Sequence, residues 1–238
     1  MIRGIYSAAT ALGVAAQTQD VIAQNLAHLN VPGFRHRGIA FATFDELLSS
    51  SGPGNTPTGT KITTDFHDFQ AGALQMTGAP LDLALTGDGF FVLQGPDGPV
   101  YTRDGVFERN AQGVLQNKSG LPVLGENGPI NVPGNATNIT ISGDGILRAG
   151  EQQLGKLQHV RFANPRLLQR VGTTLFRATP EAQPEPGTGT VLQGYRESSN
   201  VQAAGEMVAM IRGTRYFEAA QRALRALSEA VQLNTRAQ

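Results

Sequence analysis

The chain has 238 residues, enough for one large domain or two small ones, and no cysteine, which removes disulfides, thiolate metal sites and cysteine nucleophiles. Nineteen basic and nineteen acidic residues cancel, so the overall charge gives no pull toward nucleic acid or anionic lipid. No apolar run approaches the roughly 18 residues that a membrane helix needs, while 29 glycines and 13 prolines call for many turns and hence β structure.

The first predicted element is a helix over residues 2–29. Apolar or small residues recur at Ile5, Ala8, Leu12, Ala15, Ile22, Leu26 and Leu29, with only Gln19 breaking the 3–4 spacing. The short apolar run 4–16 imitates a secretory signal, but a cleaved signal has no reason to keep helical register past its cleavage point. The segment is therefore read as retained helix, with a narrow, alanine-rich seam suited to close helix–helix packing. In AQNLAHLNVPGFR (23–35), Pro32 forces Val31 out of the helical region and Gly33 accepts the dihedrals of a turn. The helix must end near Leu29 or Asn30.

Next comes a connecting segment in which SSSGPGNTPTGT (49–60) reads as a loop or flexible linker. From there to about residue 197, turn formers such as PDG (96–98), NAQG (110–113) and ENGP (126–129) punctuate short runs such as FFVLQ (90–94), VYT (100–102) and LPVLG (121–125). That is an antiparallel all-β pattern. LTGDGFF (85–91) and ISGDGIL (141–147) echo each other, each placing a Gly-Asp-Gly turn between apolar residues as a hairpin does. EAQPEPGTG (181–189) reads as a second mobile stretch.

The last element is a long helix. Ser199-Asn200-Val201-Gln202 offers a capping-box start, and Met210, Gly213, Phe217, Ala220, Leu224, Leu227, Val231 and Asn234 keep 3–4 spacing with no proline in 199–238. Arg212, Arg215, Arg222 and Arg225 fall largely off that stripe; balanced by Glu206, Glu218 and Glu229, they read as a solvated face rather than a phosphate site. Neither terminal helix can bury its stripe alone, so each needs the other or a second copy of the chain.

Reactive chemistry is sparse. The nearest thing to a metal cluster is Asp65-Phe66-His67-Asp68, whose adjacent His67 and Asp68 would point to opposite faces of a strand. The Gly-Asp-Gly turns lack the EF-hand spacing and its closing Glu, and no phosphate-loop, nucleophile-elbow or dinucleotide fingerprint occurs. No catalytic residue, metal ligand or cofactor is assigned. A hydrolase using sparse acids such as Asp65 and Asp104, or a secreted β-rich binding module with helical stalks, remain as alternatives.

Three blocks carry a resemblance. AQNLAHLNVPGFR is similar to the signature of the flagellar hook–basal body family, with Asn25, Leu26, Ala27, Pro32, Gly33, Phe34 and Arg35 in place and Gln24, His28 and Val31 departing from it. DFQAGALQMTGAPLDLALTGDGFFVLQ (68–94) with YTRDGVFERNAQGVLQNKSGLPVLG (101–125) resembles the family's central segment, and GTVLQGYRESSNVQAAGEMVAMIRGTRYFEAAQRAL (189–224) its C-terminal segment. Within the family, RYFEAAQRAL (215–224) favours the F-type of the proximal rod, whereas MIRGIYSAATAL and VRFANPRLLQRVGTTLF (160–176) look like the G-type of the distal rod.

The resemblance implies an α+β multidomain chain whose N- and C-terminal helices form a coiled coil around an inserted, mainly antiparallel β domain. The helical domain would take 1–34 and 198–238, the connecting segment 35–75 and the all-β domain 76–197. It implies a structural subunit of the basal-body rod, not an enzyme, that crosses the periplasm and polymerises with copies of itself and other rod subunits to carry torque toward the hook. Export would run through the flagellar type III apparatus without a cleaved signal, and neither nucleic acid nor membrane insertion is expected. The assembly interface would draw on Ile5, Leu12, Ile22, Asn25, Leu26 and Leu29 of the first helix and on the turn at Pro32, Gly33 and Phe34. From the C-terminal side it would draw on Ser199, Asn200 and Val201, then Met210, Ile211, Phe217, Leu224, Leu227 and Val231.

Overall fold

The computed structural model describes residues 2–42, 61–136 and 138–236, so the expected loop at 49–60 lies outside the described residues. The chain divides into two compact units: Met1–His28, His36–Asp68 and Val201–Gln238 form one, and Leu29–Arg35 with Phe69–Asn200 the other.

The first unit holds two long helices and a hairpin. Helix α1 spans Ile2–Ala27 and α2 spans Ala203–Arg236. They lie side by side, and the pairings Asn25 with Glu206 and Gln19 with Thr214 show that they run antiparallel. Strands β1 (Arg37–Ala42) and β2 (Lys61–His67) pair antiparallel, with a bulge between Ala40 and Phe41. No helix among the described residues is long and apolar enough to cross a membrane.

The expected start of the second helix does not form. Glu206 N–H donates to Gln202 C=O at 3.0 Å, so the helix opens at Ala203, beyond the start that the capping pattern offered. Ser199 and Asn200 are held extended in the other unit, where the Asn200 amide donates to Gln70 C=O at 3.0 Å.

The second unit is all β apart from one 3₁₀ turn, Pro165–Leu167. Its strands in chain order are β3 (Leu74–Met76), β4 (Leu83–Thr86), β5 (Phe90–Gly95), β6 (Gly98–Thr102), β7 (Phe107–Arg109), β8 (Leu115–Asn117), β9 (Leu124–Gly125), β10 (Gly128–Pro129) and β11 (Ile139–Ile141). They continue with β12 (Ile146–Ala149), β13 (Gln152–Lys156), β14 (His159–Phe162), β15 (Leu168–Arg170), β16 (Leu175–Ala178), β17 (Pro184–Pro186), β18 (Thr190–Gln193) and β19 (Tyr195–Glu197). The largest sheet has the order β15-β16-β6-β5-β14-β17, antiparallel throughout.

Strand β5 explains how two cores arise. Its apolar run Phe90-Phe91-Val92-Leu93 is buried throughout, and the two-residue period of a strand sends alternate side chains to opposite faces. Phe91 and Leu93 join Leu83, Phe107, Leu115 and Val123 in the larger core. Phe90 and Val92 join Tyr101, Phe162 and Phe176 in the smaller one, where the Tyr101 and Phe162 rings meet edge-on at 4.9 Å.

Two sequence expectations change here. The second Gly-Asp-Gly turn does close a hairpin, β11–β12, but the first joins strands that do not pair: β4 lies against β18 while β5 lies between β6 and β14. Full burial of Leu83 and Ala84 against a strand from the far end of the domain decides the pairing. The segment 181–189 is likewise no mere linker, because Pro184–Pro186 forms β17, the edge strand on β14.

Candidate functional site

In the helical unit α1 and α2 leave a groove between them. It has a volume of about 590 Å³ and is lined by Val14, Ala15, Thr18 and Ile22 from one helix and by residues such as Val208, Ala209, Gly213 and Tyr216 from the other. Gly213 belongs to the close approach: a Cβ built there would sit 3.5 Å from Cγ of Gln19. The Gln19 amide donates to Thr214 Oγ1 at 3.2 Å, so the residue that interrupts the apolar spacing serves as a polar tie within the seam. Here α2 exposes Val208 at 47 % and Tyr216 at 55 % within the groove and Met207 at 56 % and Ile211 at 55 % outside its lining.

Of the expected interface residues in this unit, Ile22 and Val201 are buried, and Leu12, Leu26, Met210, Phe217, Leu224 and Leu227 are half-buried. Ile211 is exposed; Ile5 and Val231 lie in the helices, with only their backbone described. Asn25, 1 % exposed, behaves differently. Its side-chain amide accepts from Arg37 N–H at 3.0 Å and donates to Arg37 C=O at 2.9 Å, mimicking a strand partner where β1 begins. The same Nδ2 lies 3.2 Å from Glu206 Oε2, whose other oxygen meets His36 Nε2 at 3.0 Å. This knot ties the end of α1, the start of β1 and the first turn of α2, where a carboxylate also suits the positive end of the helix dipole. Glu206 reads as a surface acid in the sequence and is nearly buried in the structure.

In the β unit the segment 29–35 sits in a socket. Leu29 and Pro32 are half-buried and Phe34 is fully buried, with the Arg170 guanidinium 4.9 Å above its ring. Arg170 is fixed in turn by donating to Gly172 C=O and Thr173 C=O at 2.7 Å each. Gly33 has φ +67° and donates its N–H to Glu197 C=O at 2.8 Å. Its Cα stands against the backbone of Arg103 and Asp104, so closely that a Cβ would collide with Asp104 N. Asn200 N–H reaches Phe34 C=O at 3.4 Å. Under this turn lie Arg35, Arg103 and Glu197, all buried. Of these only Arg35 stands out in the sequence, as the last residue of Pro-Gly-Phe-Arg; the Glu197 and Arg103 that meet it come from 162 and 68 residues further along the chain.

Among the described residues no group of three or more His, Asp or Glu is placed to hold a metal. Asp104 accepts Val106 N–H at 3.1 Å, and burial raises its carboxyl above the ordinary aspartate value. The side chain of Asp65 lies outside the described residues.

Comparison with known proteins bears on both units. Residues 84–149 match the family described as the flagellar hook protein FlgE/F/G D1 domain, and residues 192–232 match the flagellar basal body rod FlgEFG protein C-terminal family. The flagellar basal-body rod protein FlgG of Buchnera aphidicola from Acyrthosiphon pisum is 34 % identical over 248 residues, covering 92 % of this chain and 93 % of the relative. The flagellar basal-body rod protein FlgF of Salmonella typhimurium is 35 % identical over 249 residues, with the same coverage of 92 % and 93 %. The FlgF of Caulobacter vibrioides is 32 % identical over 202 residues, covering 84 % of this chain and 82 % of its own.

Proposed function

The chain belongs to the flagellar basal-body rod protein family, of the FlgF/FlgG type, and on that footing we propose that it is the F-type subunit of the proximal rod. As a rod protein it is structural, and its place is the flagellar basal body. Its terminal helices pair as a coiled coil and pack against copies of this chain and against other rod subunits. The observation that carries the reading is the apolar surface of the helical unit: the groove between α1 and α2, with Val208 and Tyr216 exposed within it and Met207 and Ile211 exposed outside its lining. Apolar surface left in water in this way is costly and is covered on association.

Ile211, Met210, Phe217, Leu224, Leu227 and Val231 on α2, with Ile5, Leu12, Ile22 and Leu26 on α1, supply the packing surface. Asn25, Leu29, Pro32, Gly33, Phe34, Ser199, Asn200 and Val201 serve assembly indirectly, by fixing where each helix leaves its neighbouring segment. The chain travels through the flagellar type III export apparatus with its first helix retained, a reading supported by α1 running unbroken through residue 16.

The F-type reading rests on RYFEAAQRAL (215–224). The G-type is the second reading, favoured by MIRGIYSAATAL and VRFANPRLLQRVGTTLF (160–176) and by a FlgG relative at 34 % identity beside the FlgF relative at 35 %. Complementation separates them. Expression in a motile bacterium deleted for its F-type subunit restores swimming if the proposal holds. Rescue confined to the strain deleted for the G-type subunit transfers the assignment to the distal rod, and rescue of neither removes the F-type claim. In the rescued strain Ile211→Asp is expected to abolish swimming while the protein is still exported.

A further inference from the structure

The socket under the turn holds more positive charge than its own residues neutralise. Arg35, Arg103 and Glu197 are 1 %, 4 % and 0 % exposed. Glu197 Oε1 lies 2.7 Å from Arg35 Nη1 and accepts Gly72 N–H at 2.8 Å, and its Oε2 lies 3.2 Å from Arg103 Nη1. Arg103 also donates to the carbonyls of Leu85 and Gly87. Two guanidinium charges thus face one carboxylate. Of the other acids nearby, Asp88 is exposed, so solvent screens its charge from Arg103.

The donors are also in surplus. Arg35 Nε and Nη2 and Arg103 Nε are buried and have no hydrogen-bond acceptor among the described residues. A buried donor without an acceptor, above all on a charged group, is destabilising, and native proteins place a water or an ion on such a group. A water would accept from these nitrogens but leave the extra charge uncompensated.

We propose that the Arg35–Arg103 pair binds a monatomic anion of the halide class, chloride being the ordinary representative. One negative charge brings the cluster to neutrality, and a spherical acceptor can take several N–H groups at once. Full enclosure of all three side chains argues against phosphate, sulfate or a free carboxylate as the occupant. Bound there, the ion fastens the 29–35 turn to the strands of the β unit, because one of its two holders belongs to the turn and the other directly follows β6.

The test uses the full chain at constant sodium, with gluconate progressively replaced by chloride. The expected result is a saturable rise in melting temperature of about 3–5 °C once chloride reaches ten times its dissociation constant. Chloride-35 line broadening by the protein, reversed by bromide, is expected alongside it. Arg35→Met should abolish both. If that variant fails to fold, Arg35→Lys, which keeps the charge but loses the fork of donors, should raise the half-saturating chloride at least tenfold. A rise that is linear and unsaturated, or the same in the Arg35 variants, overturns the proposal. So does the absence of line broadening in the wild type, which would leave water as the acceptor.

Discussion

Gly33 carries the most local and the most exacting demand in the chain. It needs a left-handed φ of +67° and room where a Cβ would strike the Asp104 backbone. Gly33→Ala is therefore expected to lose about 2–4 kcal/mol, from left-handed strain and the collision together, read as a fall in the urea midpoint of unfolding. This requirement was legible in Val-Pro-Gly-Phe, since proline and glycine restrict dihedrals whatever surrounds them. The role of Asn25 was not legible, because its partners Arg37 and Glu206 stand 12 and 181 residues away. Asp104 offers a second test at this scale. Burial raises its pKa above the ordinary aspartate value of 3.8, so the folded state holds the proton more tightly than the unfolded chain. The resulting stabilisation is full below that value and is lost as pH rises through the elevated native pKa. Asp104→Asn keeps an oxygen for Val106 N–H, so it should remove this pH dependence and leave the protein more stable than wild type at neutral pH. Thermal melts at pH 3 and pH 7 check it; an equal gap between the two proteins at both values would exclude the ionisation effect.

At the scale of elements, periodicity was a good guide wherever an element could be recognised from its own residues. Both long helices and β5 follow from spacing alone. What spacing could not reveal was pairing: the two Gly-Asp-Gly segments have like sequences, yet only one is a hairpin. The sequence 181–189 misled in another way, since proline usually marks the end of a strand. Just past β17 the Gly187 N–H points to His159 C=O at 3.1 Å, so by alternation the missing N–H groups of Pro184 and Pro186 face the outer edge. The edge is thereby closed to further pairing. Replacing both prolines with threonine restores two donors to that edge. The double variant is expected to self-associate through the β unit, seen as concentration-dependent light scattering that wild type lacks at matched concentration.

At the scale of the molecule the two units differ in how their stability is supplied. The β unit has two apolar cores and long-range strand pairing, whereas the helices leave apolar side chains in water. In dilute solution the amides of α1 and α2 are accordingly expected to exchange with solvent faster than those of β5, β6 and β14. Leu224→Asp should block assembly, by sedimentation, without changing the near-UV circular dichroism that reports Tyr101 in the smaller core. Loss of that signal would show the units to be folded as one. Composition and periodicity made the α and β parts legible. That residues 29–35 pack with the strands, with unit one on both sides of them in sequence, was not, because nothing local marks a segment as belonging elsewhere.

That placement has a mechanical consequence. The backbone passes between the units four times, at 28/29, 35/36, 68/69 and 200/201. A break anywhere between residues 36 and 68 would leave the first helix still moored, through Phe34 and Arg35, to the body from which the second helix departs. Tension applied to the first helix is met by an anchored stitch rather than by one bare peptide link. It is the difference between a seam sewn once and a seam sewn back through itself.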